Sequence, residues 1–498
     1  MFPPQQPSAF TTARRVFARA LAAVFFCAFV SLSVQIRGLA GARGIIPAQQ
    51  FLNAVWNQLG AKALLEVPTV CWVNASDPML VAVCVMGIVI SLVMLWGFFP
   101  GLCALLLWAL YLSLCWVASP FTNFQWDALL LETALPAAVL LPWQGRPRWS
   151  RWTPAQQAAL WVLWWLLFRL MFESGAVKLS SGDPTWHTLT ALDYHFETQP
   201  LPIWTAWYAN QIPEWLLCLA TFGMFLIELL APLLIPAPRR WRHGGAWAII
   251  ALQVIILVTG NYAFFNYLTI ALGLLLFDDT AWAALWPWRQ EEIATVETWT
   301  PRARWIIGAV AGLVFLITVQ PLISTLGLVR RWPAPFSPLR DGVAPLMSFN
   351  GYGLFAVMTT SRHEIMVEGS DDGENWRPYE FRWKPGDVKE RPRLIAPHQP
   401  RLDWQMWFAA LGSVQNQPWF VHFLVRLLEG SPEVTGLLRT NPFPDHPPRY
   451  VRAVAYDYHF TRFGEGQPGW WKRKPIDYYC PPITLKDGQP TVVDLDAK

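Results

Sequence analysis

Between Phe168 and Pro202 the chain reads FRLMFESGAVKLSSGDPTWHTLTALDYHFETQPLP. Arg169, Glu173 and Lys178 lie near the end of an apolar helix, and Asp183, Trp186, His187, Asp193, His195 and Glu197 follow in a polar loop. Ionisable groups beside a bilayer are costly unless they face a protein interior or water, so this stretch is the default functional site. One chemistry is general base catalysis: a lysine desolvated among aromatics has a lowered pKa and can take a proton, with Asp183, His187 or His195 as helpers. The plain alternative is that Lys178, at a helix end, snorkels to water. His187 and His195 could in principle bind a metal with Asp183 or Asp193. Their eight-residue separation is not a ligand-pair spacing on one helical turn and no HExxH occurs, so no metal is expected. A third chemistry, transport, is motivated by the embedded charges Glu132, Arg169 and Glu228.

These side chains need helices to hold them, and the composition supplies them. The chain has 498 residues, 54% hydrophobic and 14% charged, whereas soluble domains are about 25% charged. Long apolar runs account for the shortfall, since a spanning helix needs roughly 20 apolar residues. Spans read at about 16–36, 79–99, 101–118, 126–142, 157–177, 213–235, 245–259, 260–277 and 303–327, with the short pair around Gly260 open to a re-entrant reading. The sequence predicts an α-helical multi-pass membrane domain of about nine spans over 1–331. Arg14, Arg15 and Arg19, then Arg146, Arg148 and Arg151, then Arg239, Arg240 and Arg242 fall on one side of that arrangement. By the positive-inside rule that side is the cytoplasm, which puts the N terminus inside and the tail outside.

Within the bundle, Asp127 and Glu132 are five residues apart, hence about 140° apart around a helix, and do not share a face. Glu132 needs a partner, and Arg169 on the next helix is the natural one. Glu228 competes for the same arginine, and Glu173 is its i,i+4 neighbour. A structural ion pair is the first reading of this polar network and an active-site network the second. Asn261 and Asn266 are amides at a depth where such groups bond to another helix or to freed backbone.

The tail opens with PAPFSPL, a stiff linker. EIMVEGSDDGENWRPYEFRW alternates apolar and polar residues about a turn at Ser370–Gly373, the pattern of a β-hairpin, and RYVRAVAYDYHFT reads as another strand. Residues 403–438 are helical and aromatic. The expected outer domain, 332–498, is therefore β-rich and sandwich-like with a helical insertion. Its aromatics are core, or some of them, Trp404, Trp407 and Trp419, form an exposed client-binding patch. Cys71 and Cys480 both map to the outer, oxidising side and could pair or remain thiols. No P-loop, dinucleotide glycine motif or G-x-S-x-G occurs, so ATPase, Rossmann and hydrolase readings fall away and no cofactor is expected. A net charge of +4 with no basic-aromatic motif gives no reason to expect nucleic acid.

Seven blocks, FQWDALLLE, FRLMFESGAVKLSSGDPTW, TALDYHFETQPLP, GNYAFFNYLTIALGLLLFDD, EIMVEGSDDGENWRPYEFRWKPGD, APHQPRLDWQMWFAAL and RYVRAVAYDYHFT, together resemble the lipase maturation factor family from Phe124 to Thr461. The resemblance implies a multi-pass protein, of the endoplasmic reticulum membrane in animals, whose outer domain helps secreted lipases fold and assemble. The short N terminus, compact loops and lack of a retention signal point to a bacterial member in an inner membrane. SGAVKLSSGDPTW also resembles the membrane part of vitamin K-dependent γ-carboxylases, a likeness that implies a base at Lys178. The expectation is a membrane-anchored maturation factor acting on secreted client proteins; a Lys178 enzyme and a transporter are the alternatives.

Overall fold

The computed structural model describes residues 10–285, 295–298, 300–329, 337–466 and 469–494. The expected domain boundary at 331/332 and most of the PAPFSPL linker lie outside them. Among the described residues seven helices are long and apolar enough to cross a membrane: α1 (Thr11–Ser33), α3 (Asp77–Leu95), α4 (Pro100–Val117), α6 (Pro154–Ser180), α9 (Glu214–Leu230, continued by a 3₁₀ turn to Leu234), α10 (Arg239–Thr259) and α13 (Pro301–Thr325). Between α1 and α3 lies α2 (Ala48–Leu59), an amphipathic helix with Ala48 and Leu52 buried. Two of the expected spans fall outside these seven. The fourth is α5 (Gln125–Leu140), only 16 residues, with Pro136 inside it. The eighth is broken into α11 (Phe265–Leu274) and α12 (Asp279–Leu285), bent by 107°. At that break the Asp278 carboxylate accepts from the Ala281 amide at 3.0 Å and draws in Arg239 and Arg242, so the chain turns where its charges meet.

The bundle has two unlike ends. At one end Arg14 donates to the carbonyls of Trp149 and Arg151 and to Gln156 Oε1, while Asp279 takes the Thr11 and Thr12 amides. The α6 helix begins there with a capping box between Thr153 and Gln156, which satisfies two N-terminal groups reciprocally. At the other end, α6 is followed by α7 (Ala191–Thr198) and α8 (Trp204–Ala209). This is the end on which the C-terminal region sits.

That region is built on one five-stranded antiparallel sheet. Its strands are β1 (Arg362–Ser370), β2 (Arg377–Tyr379), β3 (Tyr450–Phe460), β4 (Trp471–Lys486) and β5 (Gln489–Val492), in the order β2-β1-β3-β4-β5. The β1–β2 hairpin closes where the sequence places it. Asp372 Oδ1 accepts from Glu374 N and Asn375 N at 2.9 and 2.8 Å, and Gly373 takes the positive φ of 85° the turn needs. Helices α14 (Arg401–Ala410) and α15 (Pro418–Leu428) cover the sheet. The expected sandwich is not formed among the described residues, because these helices and the bundle take the place a second sheet would fill.

Candidate functional site

Most of the ionisable residues singled out from the sequence lie in a layer where the C-terminal region meets the bundle. In that layer they are paired across elements rather than left facing water.

Lys178, near the end of α6, directs its ammonium at Glu228 on α9, 3.0 and 2.9 Å from Oε1 and Oε2, and at the Ser174 carbonyl at 2.9 Å. Trp186 lies 5.4 Å beneath the charge. An ammonium has three protons, and three acceptors are in place for them. Glu228 therefore pairs with Lys178, not with Arg169. Arg169 instead meets Glu132 of α5, and its Nη1 donates to the Asn350 carbonyl at 2.8 Å.

Glu132 and Glu173 have a second task. A segment preceding β1, Asn350 to Gly353, enters the bundle between α5, α6 and α13. Glu132 Oε2 accepts from Asn350 N at 2.9 Å, Asn350 Nδ2 at 3.1 Å and the Tyr352 hydroxyl at 2.8 Å. Glu173 Oε2 accepts from Tyr352 N at 2.7 Å. The glycines on either side allow the fit: a Cβ on Gly351 would stand 2.7 Å from Pro321, and one on Gly353 2.9 Å from Val177. The buried carboxylates thus act as sockets for backbone, Glu132 with both oxygens engaged and Glu173 through Oε2 alone.

Asp127, about 140° around α5 from Glu132, serves a separate latch. Arg401, the first residue of α14, donates to Asp127 Oδ2 and Oδ1 at 3.0 and 2.9 Å, to the Phe121 carbonyl at 2.7 Å and to the Tyr111 hydroxyl at 3.0 Å. The two side chains are 0% and 2% exposed, a bidentate pair closed to water. A third latch lies at the foot of the sheet. Arg362 donates to the carbonyls of Glu197, Gln199 and Pro200 at 2.8, 2.5 and 3.0 Å while pairing with Glu364 at 2.6 Å. Lys384 meets the other oxygen of Glu364 at 2.8 Å.

The loop residues follow the same pattern. Asp183 accepts from Thr185 N and Oγ1 at 2.8 and 2.9 Å and from Met358 N at 2.5 Å. Burial pulls its pKa upward, but these hydrogen bonds outweigh it and leave the carboxyl below its ordinary value. His195 Nε2 is 3.1 Å from the Tyr262 hydroxyl, which donates to Gln199 Oε1 at 3.1 Å. Burial, then the Lys178 charge, pushes the imidazole down to about 4, so it is neutral at pH 7. His187 is exposed and stands apart from this layer. Asn261 is satisfied at both ends: Nδ2 donates to the carbonyls of Leu201 and Arg393, and Oδ1 accepts from Ile395 N and Ala396 N. Among the described residues no group of three or more His, Cys, Asp and Glu side chains is placed to hold a metal.

At two places the structure favours one of the readings that the sequence left open. Trp404, Trp407 and Trp419 are only 3%, 9% and 3% exposed, so they form no client-binding patch. Trp404 packs on Trp126 and Phe124, Trp407 donates to the Thr198 carbonyl, and Trp419 lies edge-on to Phe121. The aromatics of α14 and α15 are the cement between sheet and bundle, a use sequence cannot tell from an exposed patch. Cys71 and Cys480 are both free thiols. Cys480, in β4, has its pKa raised to about 11 by burial, which keeps it a thiol.

Tyr352, Asn350, Arg362 and Arg401 went unnoticed in the sequence. The faint signal was a tyrosine bracketed by glycines in Asn350-Gly351-Tyr352-Gly353, since paired glycines mark close backbone approach.

Fold and site together define an integral membrane protein whose C-terminal sheet region is keyed by buried charge into one end of a helical bundle. The family model described as the lipase maturation factor transmembrane domain matches residues 12–284, and that of the lipase maturation factor C-terminal domain matches 348–481. The chain belongs to the lipase maturation factor family. It is 35% identical to human lipase maturation factor 2, over 97% of this chain and 84% of that protein. It is also similar to lipase maturation factor 1 of cattle, 33% identical over 96% of this chain and 90% of the relative, and of mouse, 35% over 96% and 88%. No solved structure matches.

Proposed function

We propose that this protein is a membrane-anchored maturation factor that helps secreted lipases, or similar exported proteins, to fold and assemble. The observation that carries the reading is the match of both family models, one to the bundle and one to the sheet region, together with relatives over nearly the whole chain that bear that name. The bundle serves as anchor and the sheet region as the module displayed to clients. Seven long helices together with α5 and the bent α11–α12 pair amount to nine traverses, with 1–331 as the membrane part and 332–498 as the outer part. The arginine clusters gather at the end opposite the sheet, which supports a cytoplasmic N terminus and an outer C-terminal domain. The host membrane is a bacterial inner membrane, the counterpart of the endoplasmic reticulum membrane.

The full hydrogen-bonding of Lys178 supports a structural role for it over a catalytic one. The test is secretion of active lipase by the host with and without this gene. Loss of specific activity in the deletion, restored by the wild-type chain and by a paired Lys178→Met/Glu228→Leu variant, is the expected result. Unchanged lipase activity in the deletion refutes the maturation reading. Failure of the paired variant, when it is as abundant as wild type, reopens the enzyme.

A further inference from the structure

The sheet region carries an apolar tip that stays largely exposed among the described residues. Phe463, in the turn between β3 and β4, is 65% exposed, flanked by exposed Arg462 and, further along, Arg473 and Lys474. Its ring packs edge-on against Trp207 of α8 at 4.8 Å and lies 6.1 Å from Tyr208, and Trp470 completes the cluster 5.4 Å from Trp207. The tip is fixed there. Phe463 N donates to Gln211 Oε1 at 3.4 Å, Gln211 Nε2 donates to the Thr461 carbonyl at 3.2 Å, and Trp207 Nε1 donates to Thr461 Oγ1 at 3.1 Å.

What surrounds the tip identifies its partner. Gln211 stands three residues before Glu214, the first residue of the spanning helix α9. Down that helix Trp215, Leu219, Phe222 and Leu226 are exposed at three- and four-residue spacing, one stripe on a helix and the face it turns to lipid. Tyr208 and Ile212 continue the exposed apolar surface toward Phe463. Aromatic side chains with one wet edge and one apolar face belong at the headgroup level, and basic neighbours favour phospholipid phosphates. We infer that Phe463, with Trp207, Tyr208 and Trp470, forms an interfacial foot that seats the C-terminal sheet on the bilayer surface. The foot is independent of the client reading, because it concerns how the module is held whatever it acts on.

The experiment uses the full chain in nanodiscs of phosphatidylcholine and phosphatidylglycerol, with Cys27 and Cys218 replaced by Ala. An environment-sensitive fluorophore is attached at Phe463→Cys, at Arg462→Cys as a second site that keeps the ring, and at Glu374→Cys in the β1–β2 turn as a control. At both foot positions the expected result is a blue-shifted emission. Lipids carrying a nitroxide near the headgroup should quench it, and a water-soluble quencher should reach it several-fold less than it reaches Glu374→Cys. Equal access of the aqueous quencher at all three sites overturns the proposal. So does shielding that appears only when a secreted lipase is added, or only when several copies share a disc, since either assigns the tip to a client or a second copy.

Discussion

Removing Asp127 should release the sheet region from the bundle without unfolding the bundle. Arg401 is fully buried and makes four hydrogen bonds, two of them to Asp127. Its other acceptors, the Phe121 carbonyl and Tyr111 hydroxyl, are neutral and cannot balance a guanidinium. In Asp127→Ala the cation is left uncompensated, which costs about 3–5 kcal/mol. At 1.4 kcal/mol per factor of ten, that raises the open population by about a hundredfold to a few thousandfold. Pairing Asp127→Leu with Arg401→Met removes both charges and fills the space with apolar atoms, and should recover most of the loss. The assay is limited proteolysis of the full-length protein in nanodiscs, at protease levels where cleavage is slow and the rate reports the open population. Cleavage of Asp127→Ala within threefold of wild type, or a double variant as labile as the sum of its singles, would refute the latch.

Other consequences follow from the same contacts. Gly351→Ala should destabilise by about 1–3 kcal/mol by overpacking, because its Cβ would press on Pro321, whereas Gly308→Ala inside α13, which meets nothing within 4 Å, should not destabilise and should gain up to about 1 kcal/mol of helix propensity in the same unfolding assay. His459 bridges Glu197 and Asp457 at 2.9 and 3.0 Å. Burial lowers its pKa, but the Glu197 charge and the hydrogen bonds overcome this and leave it raised above 6.5. The bridge therefore contributes fully below pH 6.5 and is lost as pH rises through the folded value. Proteolysis near β3 should quicken between pH 6 and pH 8 by a small factor, as suits a half-exposed pair, and His459→Gln should remove that dependence. Asp403 is buried, and desolvation outweighs the Trp383 and Lys384 amides to raise it to about 6. A raised acid loses stability as pH climbs past its unfolded value, so Asp403→Asn, which keeps an acceptor for both amides, should match wild type near pH 4 and exceed it at pH 8 in thermal denaturation.

Much of this was legible in the residues, and the failures have physical causes. Apolar runs located the seven long helices because hydropathy over about 20 residues is a local signal. The charges around Asp278 explain why the eighth run is bent rather than one straight helix. The turn chemistry of Ser370–Gly373 fixed a hairpin, but β4 hid behind Pro475, Pro481 and Pro482, residues that depress a strand reading and are tolerated at a sheet's margin. Periodicity put Asp127 and Glu132 on different faces. It could not reveal that Arg401, 274 residues away, answers the first. Partners so distant leave no local mark, and neither does the difference between a tryptophan that cements an interface and one that displays itself.

The central claim is that the sheet region stands outside the membrane, opposite the arginine-rich end. It is tested most directly by a membrane-impermeant maleimide on intact spheroplasts, with Cys27 and Cys218 replaced by Ala and single new cysteines at Glu374 and at Arg148. The account predicts that Glu374→Cys is labelled in sealed cells and Arg148→Cys only after permeabilisation. The reverse pattern would contradict it and remove secreted proteins from reach of the domain proposed to assist them.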